Sequence, residues 1–300
     1  MLSVRSNRAL LGLVRLALPL AALLAGALLA GALLTGFAVA PASAATTPSG
    51  VAAKDAELAN AASGAVLWTR SASAERPIGS ITKVMTAYLV IEAGDLGREI
   101  KVPEAVLGYV AKYDGSSADL IPGDKLTAEQ LLYAMLIPSG CDAAYVLAAA
   151  YGGKGGEAAF IAKMNAEARE LGLARTHFSN FDGLPWPTEY STYSTPHDLV
   201  ILGRDAMRLA LFRQIVGLHR FHLNAGSGHH AYTWHTTNPL IGTYSGAIGI
   251  KTGSTAAAGY CLLFEAVRGS TTLIGVALGD SSFTQVGDDA KKMLNWGFAR

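Results

Sequence analysis

Residues 16–40 form an apolar run made almost wholly of Leu, Ala, Gly and Val, and no Asp, Glu, Lys or Arg occurs between positions 16 and 53. Beyond it the pattern becomes that of a folded domain. Residues 65–69 follow Ser63-Gly64 and read as a strand, hairpin-paired with residues 56–61. Pro77-Ile78-Gly79 is a turn, and Ser80 is placed as the N-cap of a helix over 81–93 that is apolar on nearly every face. A helix of that kind is normally buried, and Gly94 ends it. Helices are predicted over 127–136, where Thr127 starts a shifted capping box, and over 142–151, 157–171 and 196–209. The stretch 180–194 holds Gly183, Pro185 and Pro187 without a period, so it is read as a long ordered loop. Residues 220–223 and 232–235 flank a glycine-containing hairpin loop. Strands follow at 246–252, 259–267 and 271–278, and an amphipathic helix over 286–298 closes the chain. Strands at both ends with helices between them define an α+β fold in which the two termini share one sheet.

The apolar run begins after Arg5, Arg8 and Arg15 and is followed by Pro41-Ala42-Ser43-Ala44. A basic start, an apolar stretch and a small-residue Ala-x-Ala site make a secretory signal, with residues 1–44 removed and 45–300 mature. The rival reading is an uncleaved anchor, since about 20 apolar residues span a bilayer. No cysteine lies near the leader, and no Arg-Arg pair is present in it. The whole chain has 24 basic and 23 acidic side chains; residues 45–300 keep 21 and 23. That balance excludes a nucleic-acid binder, which normally shows a basic excess. An exported chain can oxidise Cys141 and Cys261 together, but a domain of this size does not need the staple.

Three short sets of residues carry candidate chemistry. Ser80-Ile81-Thr82-Lys83 sets a hydroxyl and an amine on one helix face, where a lysine of lowered pKa acts as base for a serine nucleophile. Ser139-Gly140-Cys141 lies between an apolar helix and the next one. Lys251-Thr252-Gly253 is read as the end of an apolar strand, its lysine and threonine on opposite faces. Singly each set has a bland reading: a capped helix, a turn, a strand leaving its sheet. In this order, at intervals of 59 and 112 residues, they are specific.

On these residues the chain resembles the low-molecular-mass penicillin-binding proteins, the serine D-alanyl-D-alanine carboxypeptidases and transpeptidases marked by Ser-x-x-Lys, Ser-x-Asn and Lys-Thr-Gly. Residues 78–86, Leu136 to Ala144, Phe181-Asp182-Gly183-Leu184 and Thr237-Asn238-Pro239-Leu240 extend the likeness, which covers roughly residues 50–300. It implies an antiparallel sheet flanked by helices, a helical lobe beside it and a cleft between them. It also implies Ser80 as nucleophile, Lys83 as its base and Ser139 as proton carrier. Cys141, Lys251, Thr252, Gly253 and Ser254 would bind substrate, with Gly253 admitting the peptide backbone and the N–H groups of Ser80 and Ser254 forming an oxyanion hole. The implied partners are peptidoglycan peptides ending in D-Ala-D-Ala and β-lactam antibiotics, with no cofactor or metal, outside the cytoplasm. Two departures stand out. Cys141 replaces the usual Asn, a thiol for an amide, which predicts slower acylation. The chain also ends at Arg300, without the second β-rich domain and C-terminal anchor of many relatives.

Other readings of the sequence are weaker. A serine β-lactamase needs a deacylating glutamate, and Glu189, the only carboxylate near the middle of the 180–194 loop, has flanks unlike that pattern. A catalytically silent wall-binding module would not need Ser80, Lys83 and Lys251. Five histidines, His219, His222, His229, His230 and His235, lie within 17 residues, but no His-Glu-x-x-His accompanies them and they are read as exposed hairpin side chains.

Overall fold

The computed structural model describes residues 47–300; the leader and its cleavage site lie outside the described residues. In chain order the elements are β1 (Asp55–Asn60), β2 (Val66–Arg70), a 3-10 turn (Gly79–Thr82), α1 (Lys83–Ala93), β3 (Glu99–Lys101), α2 (Ala105–Tyr113), β4 (Lys125–Thr127), α3 (Ala128–Leu136), α4 (Cys141–Tyr151), α5 (Gly156–Glu170), α6 (Pro196–Ala206), α7 (Ala210–Val216), β5 (Arg220–Leu223), β6 (Tyr232–His235), β7 (Ala247–Thr255), β8 (Gly259–Arg268), β9 (Thr271–Asp280) and α8 (Phe283–Phe298). Five strands form one antiparallel sheet in the order β2-β1-β9-β8-β7. The two termini therefore share a sheet, as the pattern of strands predicted.

Alternation along the strands decides what each face covers. On β8, Leu262, Phe264 and Ala266 face α8, packing with its Val286, Ala290, Met293 and Leu294. Cys261 and Leu263 turn to the opposite side and join the core of α1, α3, α4 and α6. That second core is the helical lobe. The sheet thus carries one helix on one face and the lobe on the other.

Local chemistry fixes the helix starts. Thr127 and Gln130 make a reciprocal capping box at α3. Thr195 caps α6, which has Pro196 in its first turn. The segment ahead of β1 is tied to α8: Asp289 accepts from the backbone N–H groups of Ala52 and Ala53.

Asp280, at the end of β9, is buried and neither carboxylate oxygen has a hydrogen-bond partner. Burial, followed by the negative charge of Asp289, raises its pKa to about 7. Burial raises Glu265 to about 7 as well. For both, the folded state holds a proton that the unfolded chain has released, so stability falls as pH rises from about 4 towards 7. Asp280→Asn is expected to be the more stable protein at pH 8 by about 1–3 kcal/mol, because it removes an unpaired buried charge. At pH 4.5 the two should nearly coincide. Urea unfolding at both pH values checks this; equal midpoints at pH 8 would refute it.

Candidate active site

Ser80 lies inside the 3-10 turn and does not cap a helix: α1 begins at Lys83, with Thr82 as its N-cap residue. The reason is local. Gly79 has φ +52, which starts the tight turn one residue earlier, and the Thr82 hydroxyl donates to the Gly79 carbonyl. Ser80 Oγ is thereby free of backbone duties and stands 2.7 Å from Lys83 Nζ. The Lys83 amine is fully buried and also donates to the Asp182 carbonyl at 3.0 Å and to Cys141 Sγ at 3.3 Å. One amine thus links the first motif, the second motif and the 180–194 loop.

Ser139 joins α3 to α4 and has φ +70, a conformation that L-residues seldom adopt. It is held there from outside. Ser116 Oγ donates to the Ser139 carbonyl at 2.5 Å, and the Cys141 N–H donates to the Ser116 carbonyl at 2.7 Å. The loop carrying Ser116 is itself pinned by Asp142, whose carboxylate accepts from the Ser117 hydroxyl and the Ala118 and Leu120 N–H groups. Cys141 is fully buried, and burial pushes its thiol up to about 11. It is therefore neutral at physiological pH. Cys141 and Cys261 are both free, so no disulfide joins them.

Lys251, Thr252 and Gly253 do not end their strand. They sit inside β7, which continues to Thr255 because Ser254 and Thr255 still pair with Tyr260 and Gly259. Nor do the lysine and threonine simply diverge. The Lys251 amine turns back to donate to the Thr252 carbonyl at 3.2 Å, with the Thr252 hydroxyl at 3.5 Å. Burial first, and then the neighbouring charge of Lys83, push the Lys251 pKa well below its ordinary value. The Thr252 hydroxyl is 2.6 Å from that of Thr237.

Gly253 has a role the sequence reading did not assign. A Cβ there would lie 2.2 Å from the Ile78 carbonyl oxygen and 3.1 Å from the Ser80 nitrogen. The missing side chain makes room for the protein's own Ser80 turn. On the same contact, a Cβ on Gly79 would meet the Ser254 nitrogen at 2.6 Å. β7 is one of the two edge strands of the sheet and packs against the Ser80 turn.

These elements enclose a cleft of about 350 Å³ lined by Ser80, Ser116, Ser139, Thr237, Thr252 and Ser254 among others. Of the eight predicted site residues, Ser80, Ser139, Thr252, Gly253 and Ser254 line this cleft, and Lys83, Cys141 and Lys251 are buried and hydrogen-bonded to lining residues. Two participants were missed, Ser116 and Asp182. Ser116 sits in a small-residue loop after Asp114, whose φ of +49 marks a turn. Asp182 is fully buried; burial raises its pKa, opposed first by the charge of Lys83. Its Oδ2 accepts from the Tyr109 hydroxyl at 2.8 Å, and that hydroxyl accepts from Trp186 Nε1 at 3.0 Å. Glu189 is exposed and is not part of the cleft lining. Of the clustered histidines, His229 is half-buried and the other four are exposed. His230 also meets Asp124 at 2.9 Å.

A serine bonded to a buried lysine, a second serine on a strained linker and a lysine-bearing edge strand define a serine acyl-transfer enzyme of the penicillin-binding fold. Comparison with known proteins agrees. The D-alanyl-D-alanine carboxypeptidase family, peptidase S11, matches residues 42–282, and the chain belongs to that family. It is 43% identical over 270 residues to the D-alanyl-D-alanine carboxypeptidase of Streptomyces sp. strain K15, covering 86% of this chain and 91% of that protein. DacF of Bacillus subtilis is 33% identical over 250 residues, 83% of this chain and 62% of that protein. Among solved structures, the Streptomyces K15 DD-transpeptidase superposes with a TM-score of 0.80 at 41% identity, over 85% of this chain and all of that one. The D-alanyl-D-alanine carboxypeptidase of Mycobacterium tuberculosis H37Rv gives 0.74 at 32% identity, over 83% and 91%. The reaction class is therefore that of a serine-type D-Ala-D-Ala carboxypeptidase or transpeptidase.

Proposed function

We propose that Ser80 Oγ attacks the carbonyl carbon of the penultimate D-alanine of a peptidoglycan stem peptide. The Lys83 amine takes the hydroxyl proton. The observation that carries this assignment is the 2.7 Å contact between Lys83 Nζ and Ser80 Oγ inside a buried pocket. Among the described residues Lys251 hydrogen-bonds within its own motif, to Thr252, which favours Lys83 as the base. The tetrahedral oxyanion sits at the junction where the Ser80 turn and β7 press together, facing the N–H groups of Ser80 and Ser254. Ser139 relays the proton held by Lys83 to the leaving D-alanine nitrogen, which returns Lys83 to the free amine and Ser139 to its hydroxyl, and the C–N bond breaks to leave an ester on Ser80. Thr252 and Thr237 hydroxyls, with the buried Lys251 amine beneath them, hold the terminal carboxylate. The substrate backbone adds to the free edge of β7.

Water then releases the acyl group, which is carboxypeptidase action. An amine acceptor would give transpeptidation from the same ester. The likeness to the Streptomyces K15 protein, described both as a carboxypeptidase and as a DD-transpeptidase, supports keeping that second outcome. Residues 45–300 form the catalytic domain and residues 1–44 the export signal, so the enzyme works in the cell-wall space. An uncleaved leader would tether it to the membrane instead.

The test uses protein recovered from outside the cell, which should begin at Ala45. Incubation with a diacyl-D-Ala-D-Ala peptide, with and without glycine, should release D-alanine and divide the product between hydrolysed and glycine-extended peptide. Penicillin should leave one adduct on Ser80, seen by intact mass and peptide mapping. Label on Ser139, or none, would overturn the mechanism. Rapid turnover of the adduct would mark a β-lactamase, and a chain still starting at Met1 would mark an anchor.

A further inference from the structure

The cleft has an aromatic wall that the acyl-transfer chemistry leaves unused. Phe283 is the first residue of α8, after the N-cap Ser282. It lines the cleft with Ser80, Thr252, Gly253 and Ser254. Its ring stands edge-on to Tyr260, with centroids 4.7 Å apart, and Tyr260 pairs with Ser254 across β7 and β8. The ring is thus anchored at the Ser254 end of the cleft.

Two observations say that this ring serves what enters the cleft rather than the fold. It is 38% exposed and takes no part in the core beneath α8, which is built from Val286, Ala290, Met293 and Leu294. A large apolar side chain held open at a polar cleft is an unspent binding surface. Second, among the described residues, none lining the cleft is a lysine or arginine; the Lys83 and Lys251 amines lie buried below it. Recognition at this end therefore divides in two. Hydroxyls from Thr237, Thr252 and Ser254 face a carboxylate, and the Phe283 ring faces whatever apolar group is attached beside that carboxylate.

We propose that Phe283 is a specificity-determining residue: its ring packs on the side chain of the substrate's C-terminal D-residue, so that the enzyme selects an apolar leaving residue over glycine. This rests on the orientation given under the proposed function, with the leaving residue toward Thr252 and Ser254. One buried methyl group is worth about a fourfold rate difference, and a larger aliphatic side chain against the open ring is worth more.

The test measures kcat/KM for diacyl peptides ending in D-Ala-Gly, D-Ala-D-Ala and D-Ala-D-Leu, with wild type, Phe283→Leu and Phe283→Ser. Wild type should favour D-Ala over Gly by about fourfold or more and process D-Leu at least as well as D-Ala. Phe283→Ser should narrow the D-Leu to Gly ratio by about tenfold, while Phe283→Leu keeps most of it. A merely structural role would lower all three substrates by one common factor and leave the ratios alone, which would overturn the inference. If Phe283→Ser fails to fold, the wild-type series still decides: glycine processed as well as D-Leu refutes it. Loss of all peptide turnover in wild type, with no penicillin adduct on Ser80, would instead strike the proposed function and this inference with it.

Discussion

Lys83→Ala is expected to lower the rate at which penicillin acylates Ser80 by about 10²- to 10⁴-fold, the usual worth of a positioned general base. The magnitude follows from what the amine touches. Ser80 Oγ accepts a hydrogen bond from Lys83 Nζ at 2.7 Å. A serine hydroxyl without a base is a poor nucleophile at neutral pH. The substitution also leaves the buried Asp182 carboxylate without its nearest positive charge. Burial already pushes that carboxyl up, and loss of the Lys83 charge pushes it further the same way. Lys83→Met, which fills the space without the amine, should show the same kinetic loss with better-preserved packing. Stopped-flow acylation gives the rate, and urea unfolding shows whether the fold has held. Acylation within tenfold of wild type in either variant would remove Lys83 from the role of base.

The second large effect is expected at Gly253, a residue with no functional group. Gly253→Ala places a methyl carbon 2.2 Å from the Ile78 carbonyl oxygen and about as close as contact allows to the backbone of Ser80 and Ile81. Both neighbours are main chain, so neither can swing aside. Either β7 lifts from the Ser80 turn or the turn itself moves. Overpacking of this kind costs about 1–3 kcal/mol of stability. A displacement of roughly 1 Å at the reacting atoms costs on the order of 100-fold in rate. Gly97→Ala is the matched control, since a Cβ there meets nothing within 4 Å. Gly253→Ala should lose both stability and acylation while Gly97→Ala loses neither. Full acylation by Gly253→Ala would show that the turn and strand can separate without harm.

The elements read from the sequence had their signal in local chemistry. The hairpin of β5 and β6 was predicted with its observed bounds, because alternation and a glycine-rich loop both act within a few residues. The predicted end of β7 and the role of Ser80 as a cap were wrong for different reasons. β7 runs on because Ser254 and Thr255 pair with Tyr260 and Gly259 of β8, a partner outside any short window, whereas the positive φ of Gly79 starts the Ser80 turn one residue early. Short elements escaped too. The strands β3 and β4 have three residues each, and β3 to β4 pairing closes across α2. The eight candidate site residues were legible as three motifs in order. Asp182, Ser116 and Phe283 were not, because each acts through a neighbour remote in sequence: Lys83, Ser139 and Tyr260. Cys141 is the instructive case. The sequence suggests only a missing amide. The structure shows a fitted thiol, with a Cβ position on Gly115 just 3.3 Å from its sulfur and the Lys83 amine at 3.3 Å on another side.

The pairing of β1 with β9 has a kinetic meaning. Leu58 meets Gly275 and Ala56 meets Ala277, so the strand made first waits for one of the last before it can enter the middle of the sheet. Until then β1 has only the hairpin partner β2, and a lone hairpin is marginal in water. Such non-local pairings make folding slow, since a long loop must close before its contacts repay it. Ser80 is synthesised early, on α1's threshold, yet β7, which completes its cleft, belongs to the late half of the chain. A partly made chain therefore carries Ser80 and Lys83 without the strand that closes their cleft.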